Sequence, residues 1–227
     1  MFGLSPVDWS SISLSLQLAA ITALLLMVLL LPLAWWISRR TNVWTQSTEA
    51  ILTLPLVLPP TVLGFYLLIA FSQDHWFGQT WQAIFGDTLV FSFSGLVLAS
   101  MLYSLPFVLR PLVSAFQWIS PELIQTLQSL NISWWERKKI LLLDMNRRAL
   151  LAAFILGFAH TLGEFGVILM IGGNIPGETQ VASMLMFEYV ETLQMEKAHR
   201  LAWVLLLISI TLLLLTYRLT ANARYRH

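Results

Sequence analysis

The chain has 227 residues, of which 57% are hydrophobic and 11% are charged, and its formal net charge is +1. A mean hydropathy of +0.73 leaves too few polar residues to cover an apolar core, which excludes a soluble domain and predicts an integral membrane protein. Cysteine is absent from the sequence, so disulfides, thiolate metal sites and thiol catalysis are excluded as well.

Five segments are long enough to cross a bilayer, which takes about 20 mostly apolar residues. They are residues 13–37, 50–71, 89–112, 149–171 and 201–219. The sequence thus predicts an all-α protein with a single transmembrane domain over residues 1–227. Because no Lys or Arg precedes the first apolar segment, we expect that segment to be a retained span and not a cleaved signal peptide.

The charges between the spans predict an orientation. Basic residues cluster after the first, third and fifth spans: Arg39, Arg40, Arg137, Lys138, Lys139, Arg147, Arg148, Arg218, Arg224 and Arg226. The opposite segments are mainly acidic: Asp74, Asp87, Glu178, Glu188, Glu191 and Glu196, with Lys197 and Arg200. Positively charged loops stay inside, so we expect the amino terminus outside and the carboxyl terminus inside a bacterial cytoplasmic (inner) membrane.

Prolines interrupt the second and third predicted spans. They are Pro55, Pro59, Pro60, Pro106 and Pro111. Each removes an amide donor and clashes with the preceding turn, so we expect both spans to bend or break. Around Pro59 and Pro60 the alternatives are the wall of a pathway or gate and a simple packing kink. Gly64 would permit close contact with another helix.

The segment at residues 120–148 has the pattern of a helix, a turn and a second helix. Ser120 suits an N-cap, Pro121 the first helical position and Glu122 the first turn. The apolar stripe of the first helix consists of Leu123, Leu127 and Leu130. Asn131 can end that helix, and Ser133 begins the second with a capping box. The stripe would dock either on the transmembrane bundle or in a groove of a partner protein.

This segment resembles the cytoplasmic coupling segment of ABC importer permeases. The usual pattern there is Glu-Ala-Ala, three residues, Gly, and further on Leu-Pro. The matching positions here read Gln125-Thr126-Leu127, then Asn131, then Leu143-Asp144. Gln125 lacks the acidic group of the pattern, so neutral hydrogen bonding would replace an ionic contact.

Three further motifs are similar to those of the permease subunit of molybdate importers, in the same order along the chain. They are Leu54-Pro55-Leu56-Val57-Leu58-Pro59-Pro60-Thr61-Val62-Leu63-Gly64, Leu162-Gly163-Glu164-Phe165-Gly166 and Gly173-Asn174-Ile175-Pro176-Gly177-Glu178-Thr179-Gln180. The resemblance implies the type I ABC importer permease fold. It also implies import of molybdate, with tungstate or sulfate as alternatives, by alternating access.

The resemblance further implies a set of partners. They are a second permease subunit, two cytoplasmic ABC ATPases that bind ATP and magnesium, and an external or periplasmic oxyanion-binding protein. The chain has no Gly-Lys dipeptide and hence no P-loop, so we expect it to bind no cofactor and to be no enzyme. Membrane lipid should surround it, and no nucleic-acid partner is expected.

The resemblance assigns three groups of site residues and no catalytic residue. The ATPase-coupling group is Pro121, Glu122, Leu123, Gln125, Thr126, Leu127, Leu130 and Asn131. The translocation path or gate is Pro59, Pro60, Gly64, Gly163, Glu164 and Gly166. The external loop that would meet the binding protein contains Asn174, Pro176, Gly177 and Glu178.

Glu164 is an acidic residue inside the fourth predicted span, and such residues are functional candidates. It could act as a proton relay or gate, or as a satisfied polar contact between helices. Arg110, His160 and Thr161 are its candidate partners. His160 and Glu164 have metal-ligand spacing but lack a third ligand, so no metal site is expected.

Two interpretations from other classes remain. One is a secondary transporter in which Glu164 carries a coupled proton, although the chain shows no internal repeat. The other is a membrane-bound structural or assembly factor that recruits a soluble partner through residues 120–148. Copurification with an ATPase and ATP-dependent uptake would distinguish the importer from both.

Overall fold

The computed structural model describes the backbone of residues 3–130 and 132–224, and the side chains of these residues as far as 218. The α-helices in this part of the chain are α1 (Pro6–Ser38), α2 (Val43–Thr53), α3 (Pro60–Phe71), α4 (Trp76–Phe85), α5 (Phe93–Gln117), α6 (Pro121–Ser129), α7 (Trp134–Lys139), α8 (Arg147–Leu162), α9 (Gly166–Gly172), α10 (Ala182–Glu191) and α11 (Met195–Arg224). A 3₁₀ turn at Leu54–Leu56 follows α2, and a π-helical turn at Ile140–Asp144 follows α7.

Three of these helices, α1, α5 and α11, are each long and apolar enough to cross a membrane. Two further segments qualify only as bent pairs: α2 with α3, bent by 106°, and α8 with α9, bent by 60°. Counting each bent pair as one span gives the five predicted spans. The second and fourth are broken helices, however, and the break in the fourth span was not predicted.

The prolines have different effects in the second and third spans. Pro55 lies in the 3₁₀ turn after α2 and Pro60 is the first residue of α3, so the predicted break is confirmed there. By contrast, α5 continues through Pro106 and Pro111, so of the predicted bend or break the break does not occur in the third span. α5 packs against both α1 and α8, and prolines are tolerated in membrane helices where neighbouring groups satisfy the backbone that they leave free.

Contacts between helix ends define two ends of the bundle. At one end the Arg39 guanidinium donates to the carbonyls of Phe116 and Ile119, at the carboxyl end of α5. At the other end Arg200 of α11 donates to the Gly3 carbonyl at 3.0 Å. We call the first the basic end and the second, which carries Asp87 and Glu178, the acidic end. Between them α1, α5 and α11 run in one direction, and α8 with α9 runs in the other.

Two helices lie where the sequence predicted only loops. α4 covers part of the segment between the second and third spans. α10 crosses the predicted outer loop at residues 172–200, and its side chains Ala182, Leu185 and Tyr189 are buried with Ile12 of α1 and Leu201 of α11. The first amide of α10 donates to Ser15 of α1 at 2.7 Å. The loop between the last two spans is therefore partly folded into the bundle.

Candidate functional site

The breaks in the two bent pairs lie against each other. A Cβ atom added to Gly166, the first residue of α9, would lie 2.6 Å from the Cβ of Pro60, the first residue of α3. One added to Gly64 would lie 2.9 Å from Met170 and 3.3 Å from the Cα of Val167. Side chains at either glycine would thus separate α3 from α9, which confirms the close helix contact predicted for Gly64.

A cavity of about 450 Å³ lies at this meeting point. It is lined by Pro60, Tyr103, Ala159, His160, Gly163, Glu164, Phe165 and Gly166. Four of the six predicted path residues therefore line one cavity. Gly64 lies further along α3, and Pro59 is exposed at the N-cap position of α3. At Gly163 the nearest atom to an added Cβ is the Ala159 carbonyl oxygen at 3.6 Å, so this glycine is not required for close packing.

Glu164 occupies the break between α8 and α9 and is only 4% exposed. Its backbone carbonyl accepts a hydrogen bond of 2.7 Å from the Ser183 hydroxyl of α10. The carboxylate interacts electrostatically with the Val167 amide, but neither of its oxygens makes a hydrogen bond of normal geometry within the described residues. A buried carboxyl group of this kind usually pairs with another polar group or with water.

The partners that the sequence suggested for Glu164 lie elsewhere. His160 and Thr161 both contact the Ser104 hydroxyl of α5, at 2.9 and 2.8 Å. Arg110 is exposed on α5. None of these three side chains bonds to the Glu164 carboxyl group among the described residues, because the available hydroxyl joins α5 to α8 instead. Both interpretations of Glu164, a gate and a polar contact between helices, stay predictions.

Aromatic rings complete the α5 side of the cavity. The His160 ring stacks on Phe107 with centroids 3.7 Å apart, and Tyr103 lies 4.8 Å from it. Sequence reasoning missed Tyr103, Ser104 and Ser183, because polar residues in spans show their partners only after the helices pack. No group of three or more His, Asp or Glu side chains able to hold a metal ion occurs among the described residues.

The predicted external loop is a compact turn at the acidic end. Asn174 has a left-handed backbone with a φ of 57°, and its side-chain amide donates to Glu188 of α10 at 2.8 Å. Gln180 donates to the same carboxylate oxygen at 2.9 Å. The buried Thr179 accepts from the Ile175 amide at 3.0 Å, which closes the turn.

This closure leaves the tip of the loop exposed. The exposed residues are Pro176, Gly177 and Glu178. Gly177 and Glu178 also border an open cavity of about 540 Å³ that includes Asp87 and Thr88 from the start of the third span. Three of the four predicted loop residues thus face outward, whereas Asn174 fixes the loop to α10.

The predicted coupling helix is α6, and its start follows the sequence prediction. Ser120 accepts from the Leu123 amide at 3.3 Å, and Pro121 is the first helical residue. The pKa of the exposed Glu122 carboxyl is lowered by its own backbone amide and by the Ser120 hydroxyl. At the next helix Ser133 accepts from the Glu136 amide at 3.2 Å, which forms one of the two hydrogen bonds of the predicted capping box.

The two sides of α6 differ. Leu127 is 8% exposed and lies in the core cluster formed by α1 and α5, and Leu123 packs against that cluster. The stripe therefore docks on the chain's own bundle. Leu130 is a correction: it follows the helix with extended backbone and is 51% exposed. The other predicted coupling residues, Pro121, Glu122, Gln125 and Thr126, are exposed, and Asn131 lies outside the described residues.

Known proteins match this chain over nearly its full length. The molybdenum transport system permease protein ModB of Azotobacter vinelandii is 43% identical over 214 residues, covering 94% of this chain and 95% of the relative. ModB of Haemophilus influenzae is 33% identical and covers 92% of each chain. A probable sulfate transport system permease protein, cysT of Chlorella vulgaris, is 32% identical over 92% of this chain and 79% of the relative.

The fold also matches solved transporters. A chain of a bacterial alginate ABC transporter, crystallised with an alginate-bound periplasmic protein, superposes with a TM-score of 0.68 at 14% identity, covering 97% of this chain and 79% of that one. A chain of an amino acid ABC transporter gives 0.61 at 13% identity, covering 96% and 94%. The family model of binding-protein-dependent transport system inner membrane components matches residues 30–224. This chain belongs to that family and has the type I ABC permease fold that the resemblance implied.

Proposed function

We propose that this chain is the permease subunit of an ATP-driven molybdate importer, with tungstate as a second substrate. The 43% identity to a molybdenum transport permease over 94% of the chain carries the proposal. A sulfate permease at 32% identity supports the same chemical class, the tetrahedral dianions. The chain would act as a homodimer with two ABC ATPases, which bind ATP and magnesium, and a periplasmic oxyanion-binding protein.

We place the acidic end of the bundle outside the membrane and the basic end inside. The excess of Arg and Lys beside α6 and α7 supports this orientation. It puts α6 on the side of the ATPases and the tip at Pro176, Gly177 and Glu178 on the side of the binding protein. The amino terminus is then outside and the carboxyl terminus inside.

In this proposal the cavity between the two breaks belongs to the translocation gate. Most of its wall comes from the helix ends at the two breaks, with Tyr103 of the continuous α5 on one side, and irregular backbone at membrane depth is stable where it lines a cavity. Glu164 would not bind the substrate, since a carboxylate repels a dianion. It would instead be part of the gate itself and would change its surroundings when α9 shifts.

The ATPases would act on this gate through α6. Its exposed side carries Gln125 and Thr126, whereas Leu127 is buried in the core cluster that includes residues of α1 and α5. A displacement of α6 therefore moves the packed ends of both spans. Coupling requires that the ATPase bind α6 differently in the two states of the permease.

Reconstitution with the cognate ATPase and binding protein in proteoliposomes tests the proposal. We expect ATP-dependent uptake of molybdate and tungstate, with sulfate at least tenfold slower at equal concentration. Equal uptake of all three anions would overturn the substrate assignment. Uptake driven by a proton gradient without ATP would overturn the importer itself.

A matched pair of leucines tests the coupling role of α6. Leu127→Ala removes a side chain that is buried in this core cluster, whereas Leu130→Ala removes one that is 51% exposed. We expect Leu127→Ala to lower molybdate uptake per ATP hydrolysed several-fold, and Leu130→Ala to leave it unchanged. Equal coupling in both variants would contradict transmission through the docked stripe.

A further inference from the structure

A second cavity lies at the basic end, remote from the two breaks. Its volume is about 360 Å³, and it is enclosed by the end of α1, by α6 and by α7. Three cationic side chains reach it: Arg39, Arg137 and Lys138. The indoles of Trp35 and Trp134 form part of its wall. The proposed translocation mechanism uses none of these five residues.

The cations of this cavity are close together and lack a counter-charge. The Lys138 ammonium lies 4.4 Å from the Trp35 ring centroid and 5.6 Å from that of Trp134. The Arg39 guanidinium carbon lies 4.6 Å from the same Trp35 ring. No carboxylate lies within 4.0 Å of these three cations in the described part of the chain, whose recorded ion pair joins Arg200 to Glu196.

Hydrogen-bond donors of the same residues are also unused. The two terminal nitrogens of Arg39 donate to the Phe116 and Ile119 carbonyls, but its Nε is buried without a partner among the described residues. The Nε of Arg137 is likewise buried and unpartnered among the described residues. Burial and the nearby charge of Arg39 lower the pKa of Lys138, as expected where like charges face one another. Buried donors without partners indicate a missing acceptor.

We propose that this cavity binds a phosphate-type oxyanion between Arg39, Arg137 and Lys138. A guanidinium group pairs with tetrahedral oxyanions through two parallel N–H donors, and an ammonium adds a point charge. Two sources carry this chemistry: the phosphate of an anionic lipid, or a free oxyanion. The lipid fits the membrane-boundary position marked by the indoles, and the apolar Leu141 beside the cations suits an acyl chain.

The bound anion would fix α7 to the end of α1 beneath α6. Arg39 belongs to the end of α1, whereas Arg137 and Lys138 belong to α7. By removing the repulsion between these cations, the anion would stabilise the packing of α7 against the end of α1, next to Leu127 of α6. This role does not depend on which substrate the chain transports.

Purified full-length chain in nanodiscs tests the site. The probes are phosphatidylcholine alone, phosphatidylcholine with one quarter phosphatidylglycerol, inorganic phosphate and molybdate. Native mass spectrometry counts retained lipid, and thermal melts measure stabilisation by each probe. We expect Lys138→Gln to weaken anion binding about fivefold, and Arg137→Gln with Lys138→Gln to weaken it about 25-fold.

Lys139→Gln is the matched control, because Lys139 is exposed, neighbours Lys138 and does not line the cavity. It should bind the anion like the original chain, and Lys138→Arg should restore binding in a folded protein. Stabilisation by phosphatidylglycerol alone identifies the lipid, and stabilisation by phosphate or molybdate identifies a free oxyanion. Equal loss in Lys138→Gln and Lys139→Gln, or no probe exceeding phosphatidylcholine, would overturn the proposal.

Discussion

The two broken spans reach the same cavity but break for different reasons. Between α2 and α3 the chain carries Pro55, Pro59 and Pro60, which prevent a continuous helix by their own covalent geometry. Between α8 and α9 there is no proline, and residues from other helices hold the break. The first break is therefore a local property of the sequence, and the second depends on tertiary contacts.

The hydrogen bonds agree with this difference. Near the first break the Thr53 hydroxyl bonds only to carbonyls of its own helix, at Glu49 and Ala50. Near the second break the Ser183 hydroxyl of α10 donates to the Glu164 carbonyl, and the Ser104 hydroxyl of α5 forms a hydrogen bond with the Thr161 hydroxyl. A break held by other helices moves when those helices move. We therefore expect the α8–α9 break to be the movable half of the gate and the α2–α3 break to be its fixed half.

The largest effect is expected from Glu164→Gln. The amide keeps the shape of the side chain but can neither gain nor lose a proton, so we expect the free energy of unfolding to change by less than about 1 kcal/mol. Because the side chain can then no longer change its charge as the gate moves, molybdate uptake should fall at least tenfold. Thermal melts and ATP-dependent uptake by the reconstituted transporter measure the two quantities.

Glu191→Gln makes the same chemical change on an exposed side chain and serves as the control for Glu164→Gln. It should alter neither stability nor uptake. A Glu164→Gln protein that is both stable and fully active would show that the acid has no role in the gate.

A second pair of variants separates the glycines of the α8–α9 break. Gly166→Ala places a Cβ 2.6 Å from Pro60, so we expect a loss of about 1–3 kcal/mol as α3 and α9 separate. Gly163→Ala meets nothing closer than 3.6 Å and has helical backbone, so its effect should stay within about 0.5 kcal/mol. Denaturant titration in detergent compares them, and equal losses would contradict a close contact specific to Gly166.

The difference between local and tertiary contacts also explains which features could be predicted from the sequence. The five apolar segments, the break at Pro60 and the Ser120 cap depend on neighbours in the chain, and a short stretch of sequence contains them. The contact between Ser104 and Thr161 joins residues 57 positions apart, and the one between Ser183 and Glu164 spans 19. Such contacts leave no periodic signal, so the second break could not be predicted.

Two further features of the fold were missed for related physical reasons. α10 is short and lies in a mainly polar, acidic segment, and its buried side, including Tyr189, becomes evident only against α1 and α11. Leu130 has helical spacing from Leu127, but the helix ends first and leaves it exposed. Four of the path residues that the motifs suggested do line one cavity, although the donors and rings of α5 that complete it were not predicted.

A smaller effect is expected from Ser183→Ala, which tests whether α10 holds the second break. The substitution leaves the buried Glu164 carbonyl without its donor at 2.7 Å, so we expect a loss of about 1 kcal/mol in thermal or denaturant unfolding. Ser10→Ala is the control, since the exposed Ser10 hydroxyl bonds only within its own helix, to Val7. A loss of similar size in both variants would mean that the bond from α10 does not stabilise the break.

The smallest effect is expected from Pro59→Ala, which tests whether the first break is local. Pro60 remains and keeps the preceding residue extended, so the bend of 106° should persist and stability should change by less than about 0.5 kcal/mol. The amide that the substitution adds at residue 59 can donate a hydrogen bond to a carbonyl of the preceding turn, as the Val57 and Leu58 amides do to the Leu54 carbonyl. Pro60→Ala removes the restriction on residue 59 and should partly straighten the pair.

Spin labels can follow this bend without background, because the chain contains no native cysteine. Labels at Ser47→Cys in α2 and Tyr66→Cys in α3, both at exposed positions, report the distance across the break. That distance should stay constant in Pro59→Ala and lengthen in Pro60→Ala. If both variants kept the original distance, tertiary contacts such as that between Gly166 and Pro60 would hold the first break too, and the two halves of the gate would be equivalent.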